Sequence, residues 1–350
     1  VADRDELIDR YLEALELELQ QLGVPRGMDT LFLGGGTPTH PPAAQLQRLL
    51  ATVQRWLPPA SGCEFSIEAN PADLDDEKVP LLATAGVTRV SLGVQSFDKG
   101  ILTTLERDHT PAQIAPAIDR LRRSGIGNLA VDLIFGVPGQ SLSVWRQSLE
   151  AAISLNVPHI STYGLTFERG TAFWSRRQKG TLHPVPEELE REMYALAMDR
   201  LTGAGWEQYE LSNFARPGSE CRHNRTYWDG EAYFGFGPGA ASYLGGTRRL
   251  NHRSVSTWLR QRLSGELVPA SEETLPPLER ARELAMLGLR QTAGIDLHLF
   301  AERTGFDLLD LVPDRCQRLI GDGLLQLTAG RLHLTRSGRF LADTVTCEFL

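Results

Sequence analysis

The sequence predicts an α/β fold built on a parallel sheet, followed by a separate helical segment. Three observations predict it. Short apolar runs of four to seven residues alternate with amphipathic helical stretches over the first two-thirds of the chain. Glycine and polar residues gather where those runs end. Beyond residue 215 the alternation gives way to a glycine- and aromatic-rich stretch, and then to helices with one hairpin.

Residues 3–22 carry Leu7, Ile8, Tyr11, Leu12, Leu15, Leu19 and Leu22 on one helical face. Thr30-Leu31-Phe32-Leu33 is a short strand that runs into three glycines. A helix over 42–57 leads to a strand at 64–68, a helix over 76–85 to a strand at 89–94, and two helical stretches ending at Arg123 to a strand at 129–134. A helix over 141–155 feeds a strand at 159–165. Nearly continuous apolar strands of this kind belong to a parallel sheet covered on both faces. Whether the sheet closes into a barrel or stays open, its carboxyl edge is where ligands bind. After a long helix over 187–201, residues 207–211 read as one more strand, and 213–243 as irregular backbone. The tail from residue 275 is helical, with a hairpin-like piece at 324–334 that resembles a winged helix. The expected division is therefore 1–215 and 216–350.

A formal net charge of -8 argues against broad nucleic-acid binding, because neutralising phosphates needs a basic surface. No apolar run is long enough to span a bilayer, so at most peripheral membrane contact is expected. The charged opening Val1-Ala2-Asp3-Arg4-Asp5-Glu6 is not a signal peptide. Cys63, Cys221, Cys316 and Cys347 lie far apart and form no C-x-x-C pair, which favours a cytoplasmic protein over a secreted disulfide framework. The chain starts with Val and enters a helix almost at once, so the expectation is that a natural N-terminal segment precedes it.

The strand ends carry the chemistry. Gly34-Gly35-Gly36-Thr37-Pro38-Thr39 is neither a P-loop nor a dinucleotide fingerprint. Three glycines let a ligand approach the main chain, with carbonyls to accept from an ammonium group and Thr37 to donate to a carboxylate. Glu68, before Ala69-Asn70-Pro71, is suited to bridging two ribose hydroxyls. Gln95-Ser96 closes the next strand. Asp132 lies inside an apolar strand, where a carboxylate is costly unless paired or ligand-bound. Arg107 stands at a helix end, from which a guanidinium can hold a carboxylate. Singly, each reads as a structural hydrogen-bonding group or a surface charge; together they line one rim. Phe135-Gly136-Val137-Pro138-Gly139-Gln140 is, for most of its residues, a tight strand-to-helix turn.

In this order, the stretches Leu33-Gly34-Gly35-Gly36-Thr37-Pro38-Thr39, Ile67-Glu68-Ala69-Asn70-Pro71, Ser91-Leu92-Gly93-Val94-Gln95-Ser96 and Asp132 to Gln140 resemble the radical S-adenosylmethionine superfamily, in its oxygen-independent coproporphyrinogen oxidase-like branch. The resemblance implies a partial (βα)6 barrel, here without its first strand, and a C-terminal domain of the same branch with a winged-helix-like tail. It implies that Gly35, Gly36 and Thr37 contact the methionyl end of S-adenosylmethionine. Glu68, Gln95, Arg107 and Asp132 fall where the family holds the ribose and methionyl groups.

His223-Asn224-Arg225-Thr226-Tyr227-Trp228 looks like the signature of the heme-chaperone (HemW-type) proteins. That implies heme binding and transfer to an acceptor such as a respiratory enzyme. His223 is the candidate heme-iron ligand, with Tyr227 and Trp228 offering aromatic surface. The plainer alternative is that His223 and Asn224 pin a loop while Trp228 packs in the core; Cys221 reads more simply as a buried thiol. The family's C-x3-C-x2-C motif is absent, so the [4Fe–4S] cluster that the family implies has no cysteine ligands here. Truncation or natural loss would each explain that, and truncation is the expectation, because losing a first parallel strand bares a sheet edge. The chaperone reading is preferred to its rivals, an anaerobic porphyrinogen decarboxylase and a winged-helix DNA-binding regulator. The last sits poorly with Asp307, Asp310, Asp314 and Asp322.

Overall fold

A computed structural model describes residues 5–266 and 268–350. The expected start of the first helix, Asp3, lies outside the described residues. The helix itself, α1 (Ile8–Leu19), buries Ile8, Leu12, Leu15 and Leu19, as their spacing predicts. There follow β1 (Met28–Leu33), α2 (Ala43–Trp56), β2 (Pro59–Ala69), α3 (Lys78–Thr84), β3 (Arg89–Gln95), α4 (Lys99–Thr104) and α5 (Pro111–Arg123). Next come β4 (Asn128–Phe135), α6 (Leu142–Ser154), β5 (His159–Gly164), α7 (Ala172–Gln178), α8 (Glu187–Gly203), β6 (Glu207–Gln208) and β7 (Asn213–Ala215).

Seven strands form one sheet in the order β1-β2-β3-β4-β5-β7-β6, with β2 to β5 parallel in register. The fold is α/β and mostly parallel, as the helix–strand rhythm requires. Alternation along the strands is sharper than the apolar runs imply. Phe65, Ile67, Val90, Leu92, Leu129, Val131 and Ile160 are fully buried on one face. The other face carries Ser66 and Glu68 from β2, Arg89 and Ser91 from β3, Asp132 from β4, and His159 and Ser161 from β5. Only one face is therefore a hydrophobic core; the other is polar.

The strand expected at 207–211 is shorter, Glu207–Gln208, and belongs to an antiparallel return. β6 has two residues, and it is β7 that pairs with β5, antiparallel. The cause is Glu210, which is 1% exposed and gathers the Ser212 N–H and the Asn213 side-chain amide, so that the chain turns back after Gln208.

Contacts divide the chain into two compact units, neither continuous in sequence: Phe32–His40 with Phe65–Glu220, and Val1–Leu31 with Pro41–Glu64 and Cys221–Leu350. The former holds the carboxyl ends of β1 to β5. The latter holds α1, α2 and all that follows Cys221: α9 (Arg222–Trp228), β8 (Ala241–Leu244), β9 (Thr247–Leu250), α10 (Val255–Leu263), β10 (Ser271–Thr274), α11 (Pro277–Gly288), β11 (Ile295–Asp296), α12 (Leu297–Thr304), α13 (Pro313–Gly321), β12 (Leu325–Thr328), β13 (Arg331–Leu334), α14 (Arg336–Phe340) and α15 (Ala342–Cys347). In it β8 and β9 form a hairpin whose two turn residues, Gly245 and Gly246, both have positive φ (57° and 83°), the geometry that Gly-Gly permits. The tail is helical, with α13 leading into the β12–β13 hairpin, to which β11 adds a third strand. A buried ion pair, Arg262 Nη2 to Glu18 Oε1 at 2.9 Å, ties α10 to α1, and Glu18 Oε2 accepts the Gly237 N–H at 2.7 Å.

Candidate functional site

The three glycines after β1 do different things. A Cβ on Gly34 would collide with the Phe32 ring and stand 2.9 Å from the Glu68 carboxyl, so this glycine makes room for Glu68. Gly35 has φ +81° and donates its N–H to Glu68 Oε2 at 3.1 Å. Around a Cβ on either Gly35 or Gly36 nothing lies within 4 Å, so both face open space. Thr37 is half-buried and Thr39 fully buried. The Thr39 hydroxyl donates to Asp73 Oδ2 at 3.2 Å and its carbonyl accepts from Lys78 Nζ at 2.7 Å, which anchors the run from behind.

Glu68 and Asp132 are the carboxylates of the polar sheet face that flank the glycine run. Burial, and then the charge of Asp132, push the Glu68 carboxyl up to about 7, against the pull of the Gly35 and Gly36 N–H groups. Asp132 is clamped by Ser91, whose Oγ lies 3.0 Å from Oδ1 and 2.9 Å from Oδ2, and it also accepts from the Ser161 hydroxyl. Burial pushes its carboxyl up; Ser161, Ser91, Arg89 and Arg107 pull it back.

Gln95 ends β3 at a register shift against β4, with φ 63° in a non-glycine residue. Such strain costs about 1–3 kcal/mol and collects at functional sites. Arg107 is exposed at the rim. The loop that carries it is pinned on both sides: Asn70 Nδ2 donates to Asp108 Oδ1 at 2.8 Å, and His109 Nε2 donates to the Val94 carbonyl at 3.0 Å. Glu68 thus meets Gly35 directly, and Asp132 is coupled to Glu68 and Arg107 through space. Thr37 and Gln95 stand at the same strand ends, and among the described residues neither side chain hydrogen-bonds to these carboxylates. Two residues that sequence reasoning passed over, Ser91 and Ser161, hold Asp132. Polar residues at every second position of His159-Ser161-Tyr163 were the available signal.

Open main chain, paired carboxylates and a guanidinium at the rim suit a ligand with an ammonium group, a carboxylate and vicinal hydroxyls. The residues of this chain do not fit an iron–sulfur cluster. Among the described residues no three His, Cys, Asp or Glu side chains gather to hold a metal ion; Cys63, Cys221 and Cys316 are buried apart, and Cys347 is exposed.

His223, in the other unit, opens α9. Glu64 caps this helix, accepting the Arg222 and His223 N–H groups, each at 3.0 Å, and the Cys221 thiol at 3.4 Å. The imidazole is held at both nitrogens, Nδ1 against Thr30 Oγ1 and Nε2 against Tyr227 Oη, each at 2.9 Å. Tyr227 meets His223 edge-on at 5.2 Å and Tyr233 at 4.8 Å. Burial lowers the imidazole's basicity although Glu64 opposes it, so the ring is neutral at pH 7. Trp228 lies under the Arg290 guanidinium at 4.9 Å.

Among the described residues no helix is long and apolar enough to cross a membrane. The profile of the Radical SAM superfamily matches residues 2–152, and that of the HemN C-terminal domain matches 275–341. The chain is 40% identical to "Heme chaperone HemW" of Bacillus subtilis (strain 168), over 98% of this chain and 92% of that protein. It is 36% identical to the protein of the same name in Lactococcus lactis subsp. lactis (strain IL1403), over 98% and 90%. It is 31% identical to a mitochondrial radical S-adenosyl methionine domain-containing protein 1 of Danio rerio, over 98% and 80%. The coproporphyrinogen III oxidase HemN of Escherichia coli superposes with a TM-score of 0.86 at 22% identity, over 100% of this chain and 84% of that one, a likeness of fold.

Proposed function

The chain belongs to the HemW heme chaperone family of the radical S-adenosylmethionine superfamily, and from that membership we propose that it binds heme and delivers it to acceptor proteins such as respiratory enzymes. The observation that carries the reading is His223, a neutral imidazole at the head of His223-Asn224-Arg225-Thr226-Tyr227-Trp228, with aromatic rings beside it. Neutral imidazole is the iron-ligating form. With Nδ1–H donating to Thr30, the Nε2 lone pair is the one that iron takes, in exchange for the Tyr227 hydroxyl. Free buried thiols fit a cytoplasmic setting.

The strand-end site is assigned to S-adenosylmethionine. Gly35, Gly36 and Thr37 hold the methionyl end, and Glu68, Gln95, Arg107 and Asp132 the ribose and methionyl groups. The open space over Gly35 and Gly36 supports this. In this superfamily the bound molecule, beside a [4Fe–4S] cluster, is a source of 5′-deoxyadenosyl radical; no such step is assigned to this chain, whose residues do not fit the cluster. Residues 1–215 would carry the nucleotide site and 216–350 the heme ligand. Because of the His223 motif, the decarboxylase alternative is set aside.

Heme titration of the purified chain tests the reading. A saturable Soret change is expected in the unaltered protein, and its absence would sink heme binding. His223→Ala is expected to change the spectrum of the bound heme; an identical spectrum removes the ligand assignment alone.

A further inference from the structure

Arg89 is a buried cation on the polar sheet face. It lies in β3 with 2% exposure. Nη1 donates to Asn128 Oδ1 at 3.0 Å and to the Ser219 carbonyl at 3.1 Å, while the buried Nη2 has no partner among the described residues. No carboxylate among them forms an ion pair with it. A guanidinium buried without a counter-charge is costly, so a fold that keeps one there needs something from the charge.

Strand register shows what the charge faces. Arg89 stands opposite Ser66 and Asn128. Ser91, the next residue on the same face, stands opposite Glu68 and clamps both oxygens of Asp132. Arg89 is thus one step, about 7 Å along the strand, below Ser91, and level with Asn128, four residues before Asp132 on the same face of β4. On this buried face, away from water, opposite charges interact far more strongly than at the surface, and the Arg89 charge favours the ionised form of Asp132.

We infer that Arg89 is a positioning residue of the nucleotide site: its buried charge keeps Asp132 a carboxylate at neutral pH, so that the site offers an anion to a cationic ligand. This rests on the reading of the strand-end site as one for S-adenosylmethionine. Every other group facing Asp132 is neutral, opposed or screened. From β3 and β5, Ser91 and Ser161 are uncharged donors that also favour the carboxylate, His159 is kept neutral by burial and by Arg89, and Tyr163 is a phenol desolvated at its hydroxyl end. From β2, Glu68 is a like charge that works against ionisation. Arg107 is a cation of the right sign, but it is exposed and screened by solvent. Arg89 alone is both buried and cationic.

The test is the carboxylic-acid C=O stretch of Asp132, read by infrared difference spectroscopy of the full chain against Asp132→Asn. At pH 7 the unaltered protein is expected to show no Asp132 acid band. Arg89→Met is expected to show one that disappears in Arg89→Met/Asp132→Asn, and Arg89→Lys, which keeps the charge but not the two hydrogen bonds, is expected to show none. A protonated Asp132 in the unaltered protein at pH 7 overturns the inference without any variant having to fold. So does an ionised Asp132 in folded Arg89→Met. Calorimetric titration with S-adenosylmethionine should show about tenfold weaker binding at pH 7 in Arg89→Met, a midpoint moved up by about two pH units, with recovery in Arg89→Lys. If the infrared pattern appears but the unaltered chain binds no S-adenosylmethionine, the nucleotide reading fails and the assignment of Arg89 to Asp132 stands.

Discussion

Glu68→Gln should make the protein more stable and its site worse. The Glu68 carboxyl is half-buried, faces Asp132, and is pushed from 4.5 up to about 7. A raised carboxyl favours the folded state fully below pH 4.5, progressively less between 4.5 and 7, and not at all above the folded value. At 1.36 kcal/mol per pH unit, the rise corresponds to about 3 kcal/mol withheld from stability at pH 8, an upper bound because solvent reaches part of the side chain. Glutamine imitates the protonated acid, and its amide oxygen can still accept from Gly35. Urea unfolding of both proteins at pH 4.5, 6 and 8 reads the difference, because titrating groups remote from Glu68 and Asp132 cancel. The gap should be near zero at the lowest pH and grow to about 2–3 kcal/mol in favour of Glu68→Gln at the highest. Affinity for S-adenosylmethionine should fall in the same variant. A gap that does not change with pH, or a Glu68→Gln protein less stable at pH 8, would refute the reasoning.

The glycine run gives a paired prediction. Gly34→Ala forces a methyl group into the Phe32 ring and the Glu68 carboxyl, and should cost about 1–3 kcal/mol in a denaturant melt. Gly36→Ala meets nothing within 4 Å and should leave the melt within about 0.5 kcal/mol while weakening nucleotide binding, because the methyl occupies the ligand's approach. Tyr227→Phe removes the hydroxyl that holds His223 Nε2. Loss of one such hydrogen bond should tighten heme about two- to tenfold in a Soret titration, whereas weaker binding would show that the hydroxyl serves the heme rather than competing with it.

The parallel sheet and its polar edge were legible because both leave periodic marks. Apolar runs such as Val90 to Val94 announce buried strands, and a carboxylate inside one, Asp132, announces a site. What was not legible has no period. β6 and β7 span two and three residues, too few for alternation to show, and the turn between them depends on a buried Glu210 that reads in sequence as an ordinary surface acid. The Gly245-Gly246 hairpin carried a strong local signal that went unused, because its flanks, Ala241–Leu244 and Thr247–Leu250, are short and only half-buried. Ser91 and Ser161 look like routine strand residues until register sets them on either side of Asp132. Arg89 reads as a charge at a strand's start, and only its burial makes it unusual. The hydrogen bonds on both His223 nitrogens depend on Thr30, 193 residues away, a pairing no local pattern reveals.

The Glu18–Arg262 pair has a temporal side. Its partners are 244 residues apart, so at about 5–20 residues per second α1 leaves the ribosome on the order of 10–50 s before α10 exists to receive it. Throughout that interval Leu12, Leu15 and Leu19 are a bare apolar stripe with an acid, Glu18, that lacks its guanidinium. The unit that is nearly continuous, closed by Glu220, can finish while the one built from both ends of the chain still waits. Nascent chains halted before residue 262 should therefore be the form that chaperones and proteases seize.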